Sequence, residues 1–126
     1  MFRQLITCTA MVAATGLSFS AAAQDPVKDY PSKPVRMIVP FPPGGGTDIL
    51  SRVISNKLTE VSHWTVVPDN RAGAGGTIGI TEAVKAAPTG YDMVMGQKDN
   101  VVLGPYLYKS LPWNPTKDLT PVAHVA

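Results

Sequence analysis

The chain is poor in cysteine, histidine and clustered positive charge, and each shortage removes a class of function. The single cysteine, Cys8, lies close to the amino terminus, so beyond it there is no thiol for a disulfide, a thiolate metal site or a cysteine nucleophile. The two histidines, His63 and His124, are far apart and share no ligand-like spacing with carboxylates. No G-x-S-x-G elbow occurs. Eleven Lys and Arg against nine Asp and Glu give a formal net charge of +2 with no basic run, which leaves no electrostatic footprint for nucleic acid. No apolar run reaches the roughly 20 residues that a bilayer-spanning helix needs.

Proline and glycine are plentiful instead, at twelve and eleven. They fall in short clusters without a repeat period and predict tight loops between regular elements. The amino terminus differs from the rest. Arg3 precedes an apolar stretch over residues 5–19, followed by Ser20-Ala21-Ala22-Ala23-Gln24. A basic start, a short apolar centre and an A-x-A end form the pattern of a secretory signal peptide, with cleavage expected after Ala23 and export as the consequence. The expected organisation is a leader over residues 1–23 and one small domain over residues 24–126.

Within that domain, Val35-Arg36-Met37-Ile38-Val39 is a short apolar, partly β-branched run that predicts a buried strand. Ile49, Leu50, Val53, Ile54, Leu58 and Val61 recur at helical spacing, with Thr47 or Asp48 as the expected N-cap and His63 near the end. Trp64-Thr65-Val66-Val67 reads as a second strand. A second helix carries Ile80, Ala83, Val84 and Ala87 on one face and is stopped by Pro88. Tyr91-Asp92-Met93-Val94-Met95 reads as a third strand, residues 101–108 as a short helix, residues 111–121 as a loop, and residues 122–126 as the start of another strand. This β-α-β-α-β order predicts an α/β fold with a parallel sheet covered on both faces.

Three segments fall after strands, on the edge where open parallel sheets bind ligands. Phe41-Pro42-Pro43-Gly44-Gly45-Gly46-Thr47-Asp48 joins the first strand to a helix, where glycine permits close backbone approach and the first turn leaves amide donors unpaired. Such a site favours an anion; a tight turn that merely needs glycine explains the same residues. Asp48 competes for those amides, or caps the helix. The second segment, Asp69-Asn70-Arg71-Ala72-Gly73-Ala74-Gly75-Gly76-Thr77, repeats the arrangement, with Arg71 as a ligand contact or as a loop staple. The third, Gln97-Lys98-Asp99-Asn100, supplies polar side chains to the same edge or forms an ordinary polar loop. A P-loop is excluded because Gly46 is followed by Thr47-Asp48, and a dinucleotide fingerprint because Ile78 stands where the third glycine would be.

Taken with Tyr30-Pro31-Ser32-Lys33-Pro34-Val35-Arg36, Ala86-Ala87-Pro88-Thr89-Gly90-Tyr91 and Tyr106-Leu107-Tyr108-Lys109, these segments resemble the Bug receptors, the periplasmic solute-binding proteins of tripartite tricarboxylate transporters. The resemblance runs from Tyr30 to the carboxyl terminus. It implies one parallel-sheet lobe of a periplasmic binding-protein clamshell, small carboxylate ligands, delivery to membrane permease subunits, no metal, no cofactor and no enzymatic step. It implies ligand contact at the two glycine loops, for which Phe41, Gly44, Gly45, Thr47, Asp48, Gly73, Ala74 and Gly75 are the expected residues. Gln97 and Asn100 join them from the third loop, where the family carries small residues. It further implies a second lobe that this sequence does not include, so weak binding or aggregation is expected unless a second polypeptide supplies the rest. An exported α/β enzyme that holds an anion on its glycine loops, with Asp48 or Asp99 as its candidate base, and a fragment without function are the alternatives.

Overall fold

The computed structural model describes residues 29–126; the signal peptide expected over residues 1–23 lies outside them. Val35–Val39 forms β1, Gly46–Ser62 α1, Val66–Asn70 β2, Thr77–Lys85 α2 and Asp92–Val94 β3. A 3-10 turn at Ala74–Gly76 leads into α2, and a π-turn at Asp99–Leu103 runs into the short helix α3, Gly104–Leu107. A four-residue helix, α4, follows at Pro115–Asp118.

The three strands form one parallel sheet in the order β2-β1-β3. β1 is central and nearly all apolar because both its faces are covered: Val35, Ile38 and Val39 are wholly buried. Alternation sends Val35, Met37 and Val39 to one face, where Val66 completes the cluster and Leu58 of α1 packs against it. Arg36 and Ile38 point to the other face, where the Arg36 guanidinium reaches Glu82 of α2 at 2.6 Å. The two helices therefore cover opposite faces, as a doubly wound sheet requires.

Arg36 also pairs with Asp92 of β3 at 2.6 Å and with Asp69 of β2 at 3.4 Å. One cation thus ties all three strands to α2, and the hydrogen bonds to Asp92 and Glu82 push its pKa up. At the amino ends of the strands, Tyr30 meets Trp64 edge-on at 5.5 Å and Tyr91 at 5.0 Å, while its hydroxyl donates to the Gly90 carbonyl at 2.7 Å. Aromatic packing closes this end and leaves the carboxyl ends to the glycine loops.

Several local features differ from the sequence expectation. α1 starts at Gly46 with Gly45 as its N-cap, so neither Thr47 nor Asp48 caps it. Its most buried residues are Thr47, Asp48, Ser51 and Ser55, whereas Ile49, Val53 and Val61 are exposed. Small side chains let the helix approach the sheet, and Ser51 and Thr59 satisfy their hydroxyls on the carbonyls four residues back. β2 begins two residues later than expected and runs through Pro68, which an edge strand tolerates. Residues 122–126 form no strand, and the expected loop over residues 111–121 contains α4. His63 does end α1, in the left-handed C-cap conformation with φ 58°.

Candidate functional site

The chain leaves β1 toward β2 and returns across β1 to β3, so the strand order reverses between β1 and β3. That reversal opens a crevice at the carboxyl ends of the strands, where ligands of open α/β sheets bind. Three loops border it: residues 40–45, residues 71–76 and residues 95–98.

In the first loop, Gly44 takes φ 82°, a left-handed turn that brings its N–H to the Asp48 carboxylate at 2.9 Å. Gly45 N–H approaches the Pro42 carbonyl at 3.5 Å. The first intrahelical bond of α1 is from Ile49 N–H to the Gly45 carbonyl at 2.9 Å, so Gly46, Thr47 and Asp48 carry amides that have no acceptor within the helix. These three, and not the amides of Gly44 and Gly45, are the donors that the first loop offers an anion.

Asp48 is almost fully buried. Its carboxylate accepts from Arg52 Nε at 3.0 and 3.1 Å, from Gly44 N–H and from Asn70 Nδ2 at 2.9 Å. Arg52 first, then Gly44 and Asn70, hold its carboxyl well below the usual carboxylate range. Asn70 Nδ2 also donates to the Phe41 carbonyl at 3.1 Å, and Asn70 Oδ1 accepts from Arg52 at 3.2 Å. A neutralised Asp48 therefore joins the first loop to the end of β2 and does not sit over the free amides. Its charge is consumed in structure, which leaves it unsuited to act as a base.

The second loop has an unusual backbone. Gly73, Ala74, Gly75 and Gly76 all have positive φ, at 138°, 48°, 62° and 93°. Ala74 is the one residue of the four with a side chain to accommodate in that region. The Gly76 N–H closes on the Gly73 carbonyl at 3.0 Å, while the amides of Ala74 and Gly75 take no acceptor among the described residues and are the donors this turn can offer an anion. Arg71 staples the loop base to β2 and α2, reaching Asp69 at 3.0 Å and Glu82 at 3.5 Å. A side chain at Gly76 would strike Asn100 Nδ2 and touch the Phe41 ring at 3.5 Å, so one residue from each loop converges there. Gly75 instead faces the Tyr108 hydroxyl.

In the third loop, Gln97 N–H donates to Asn100 Oδ1 at 2.9 Å, and the Gln97 carbonyl accepts from Val101 N–H at 3.0 Å. Gln97 Nε2 then crosses to the Thr47 hydroxyl in the first turn of α1. Asn100 is only 4% exposed, and its Nδ2 has no hydrogen-bond partner.

Of the residues expected from sequence, Phe41 and Asn100 meet around Gly76, and Thr47 and Gln97 meet across the crevice. Gly44 and Asp48 bond to one another, while Gly73, Ala74 and Gly75 form the second loop, packed against Ile78 and the Tyr108 hydroxyl. Two residues were missed, Asn70 and Arg52, which fix the spacing of the first two loops. Arg52 was detectable four residues after Asp48, as an i,i+4 pair; Asn70 gave no signal beyond its place at the end of β2. Among the described residues, no group of His, Cys, Asp and Glu is placed to hold a metal ion.

Residues 50–126 match the family described as Tripartite tricarboxylate transporter family receptor. Protein BugT of Bordetella pertussis is 37% identical over 99% of this chain and 37% of its own length. The chain spans about a third of the length of the curated relatives it matches. Among solved structures, an R. palustris protein with adipate is 34% identical, with a TM-score of 0.71 over 75% of this chain and 31% of its own. MatC from Rhodopseudomonas palustris, with bound malate, is 31% identical, with a TM-score of 0.63 over 74% of this chain and 32% of its own.

Proposed function

The chain belongs to the tripartite tricarboxylate transporter receptor family, and from that premise we propose that it takes part in capturing a small organic carboxylate in the periplasm for hand-over to membrane permease subunits. Its family is one of receptors, and no bond-making step is assigned to it. The observation that carries the reading is the pair of amide-bearing loops on one sheet edge: the unpaired N–H groups of Gly46, Thr47 and Asp48, and those of Ala74 and Gly75 in the positive-φ run from Gly73 to Gly76. Backbone donors aimed at one crevice suit a carboxylate, with the helix dipole of α1 adding to their field. Pairing with Arg52 compensates the Asp48 carboxylate, which would otherwise repel such a ligand from the first turn of α1.

The R. palustris neighbours with adipate and with malate support a dicarboxylate as the ligand class. Export through the leader at residues 1–23, with residues 24–126 forming part of a receptor lobe, belongs to the same proposal. Phe41, Gly44, Gly45 and Asn100 act in it by shaping the loops, and Thr47, Asp48, Gly73, Ala74 and Gly75 by presenting amides.

An amide NMR titration of the protein with malate and with adipate tests the reading. Shifts concentrated at Gly46, Thr47, Asp48, Ala74 and Gly75 are expected. Saturable binding that moves other residues would displace the site, and the absence of any response would remove the carboxylate assignment.

A further inference from the structure

The crevice between β1 and β3 is not open along its whole length. Gln97 spans it, its Nε2 donating to the Thr47 hydroxyl, and both ends of that strap are fixed. At the loop end, the Gln97 backbone is held by Asn100 Oδ1 at 2.9 Å and by Val101 N–H at 3.0 Å. Asn100 is itself buried against Gly76 and Phe41. At the helix end, Thr47 is 7% exposed, and its carbonyl takes the Ser51 hydroxyl at 2.7 Å. A glutamine pinned in this way loses little further entropy when it meets a ligand. Its carboxamide lies beside the three unpaired amides of the α1 amino terminus.

We infer that Gln97 is a selectivity residue, whose carboxamide closes the β3 side of the crevice and favours short, hydroxyl-bearing dicarboxylates over long unsubstituted ones. The inference rests on the carboxylate reading above. A carboxylate seated on Gly46, Thr47 and Asp48 must extend the rest of its carbon chain past Gln97 or away from it. A hydroxyl on a short chain can exchange hydrogen bonds with the carboxamide. A longer methylene chain that runs past Gln97 offers it no partner and displaces its bond to Thr47, leaving the buried Thr47 hydroxyl unpaired. Buried polar groups that go unpaired are the usual source of strong discrimination between similar ligands.

The experiment measures dissociation constants for malate and for adipate, by NMR titration, on the wild-type protein and on Gln97→Ser and Gln97→Met. Gln97→Ser opens the crevice, and Gln97→Met keeps the side-chain length without its donor or acceptor. Both variants are expected to shift the affinity ratio toward adipate by about fivefold or more, the scale of one lost hydrogen bond. Amide spectra and melting curves of the variants show whether the fold is kept, and the two variants guard against a single misfolded one. A wild-type protein that binds these acids, with a ratio that neither folded variant changes, overturns the role of Gln97 and leaves the carboxylate reading intact. A wild-type protein that binds neither acid overturns both.

Discussion

Asp48 shows how one residue can look like ligand chemistry and serve the scaffold. A buried carboxylate is costly unless it is paired and hydrogen-bonded, and this one has Arg52, Asn70 and the Gly44 amide around it. Its pKa is depressed in the folded chain. A group with a depressed folded pKa contributes stability that is fully present above its unfolded value, near about 3.9 for Asp, and that is lost as pH falls through the lower folded value. The acid limb of the stability profile should therefore fall below about pH 4, and Asp48→Asn should flatten that limb while lowering stability at neutral pH. Thermal midpoints recorded from about pH 7 to about pH 3 check both. An acid limb unchanged in Asp48→Asn would mean that other carboxylates carry it. The sequence made Asp48 visible as a charge beside glycines. It did not make Asn70 visible, because that side chain acts by joining Phe41, Asp48 and Arg52, which only the fold brings together.

The elements were legible to the extent that local pattern decides them. β1 stood out because a central strand of a parallel sheet is apolar on both faces. The buried face of α1 was not legible, because Ile49, Val53 and Val61 give a clean helical period yet lie exposed, while Thr47, Ser51 and Ser55 are buried. Close approach there depends on side-chain size, and hydropathy does not report size. The same consideration governs α2. A side chain at Gly79 would lie 2.8 Å from the Arg71 carbonyl oxygen and 2.9 Å from Pro40 Cα. Both obstacles are rigid main chain, so Gly79→Ala should destabilise by about 1–3 kcal/mol, the usual cost of overpacking. Gly46→Ala offers the contrast, since its added carbon meets nothing within 4 Å. That change should be neutral or stabilise by up to about 1 kcal/mol through helix propensity. Denaturant midpoints of the two variants separate packing from propensity. Equal effects would mean that α2 shifts to make room.

On the scale of the whole molecule, the two ends of the sheet have different tasks. Tyr30, Trp64 and Tyr91 close the amino ends, and the carboxyl ends carry loops in which the amides of Gly46, Thr47, Asp48, Ala74 and Gly75 lack partners. One wall of amides faces the crevice, and among the described residues Val102, Tyr106 and Leu107 are exposed apolar groups near its third loop. A carboxylate on such a wall keeps water on its far side, and water competes for each hydrogen bond, so the net gain per bond stays near the low end of about 0.5–1.5 kcal/mol. Enclosure between two walls would remove that competition and lower the local dielectric as well. With water competing for each amide, the affinity should depend on how firmly the loops are held. Asn70→Ala removes the side chain that joins Phe41, Asp48 and Arg52, so it should weaken malate binding by about threefold to tenfold, the scale of one hydrogen bond. Isothermal titration of the wild-type protein and the variant measures the difference. Equal affinities would show that the loop amides keep their geometry without Asn70, and would place the preorganisation in the positive-φ backbone of the second loop and in the Asp48–Arg52 pair.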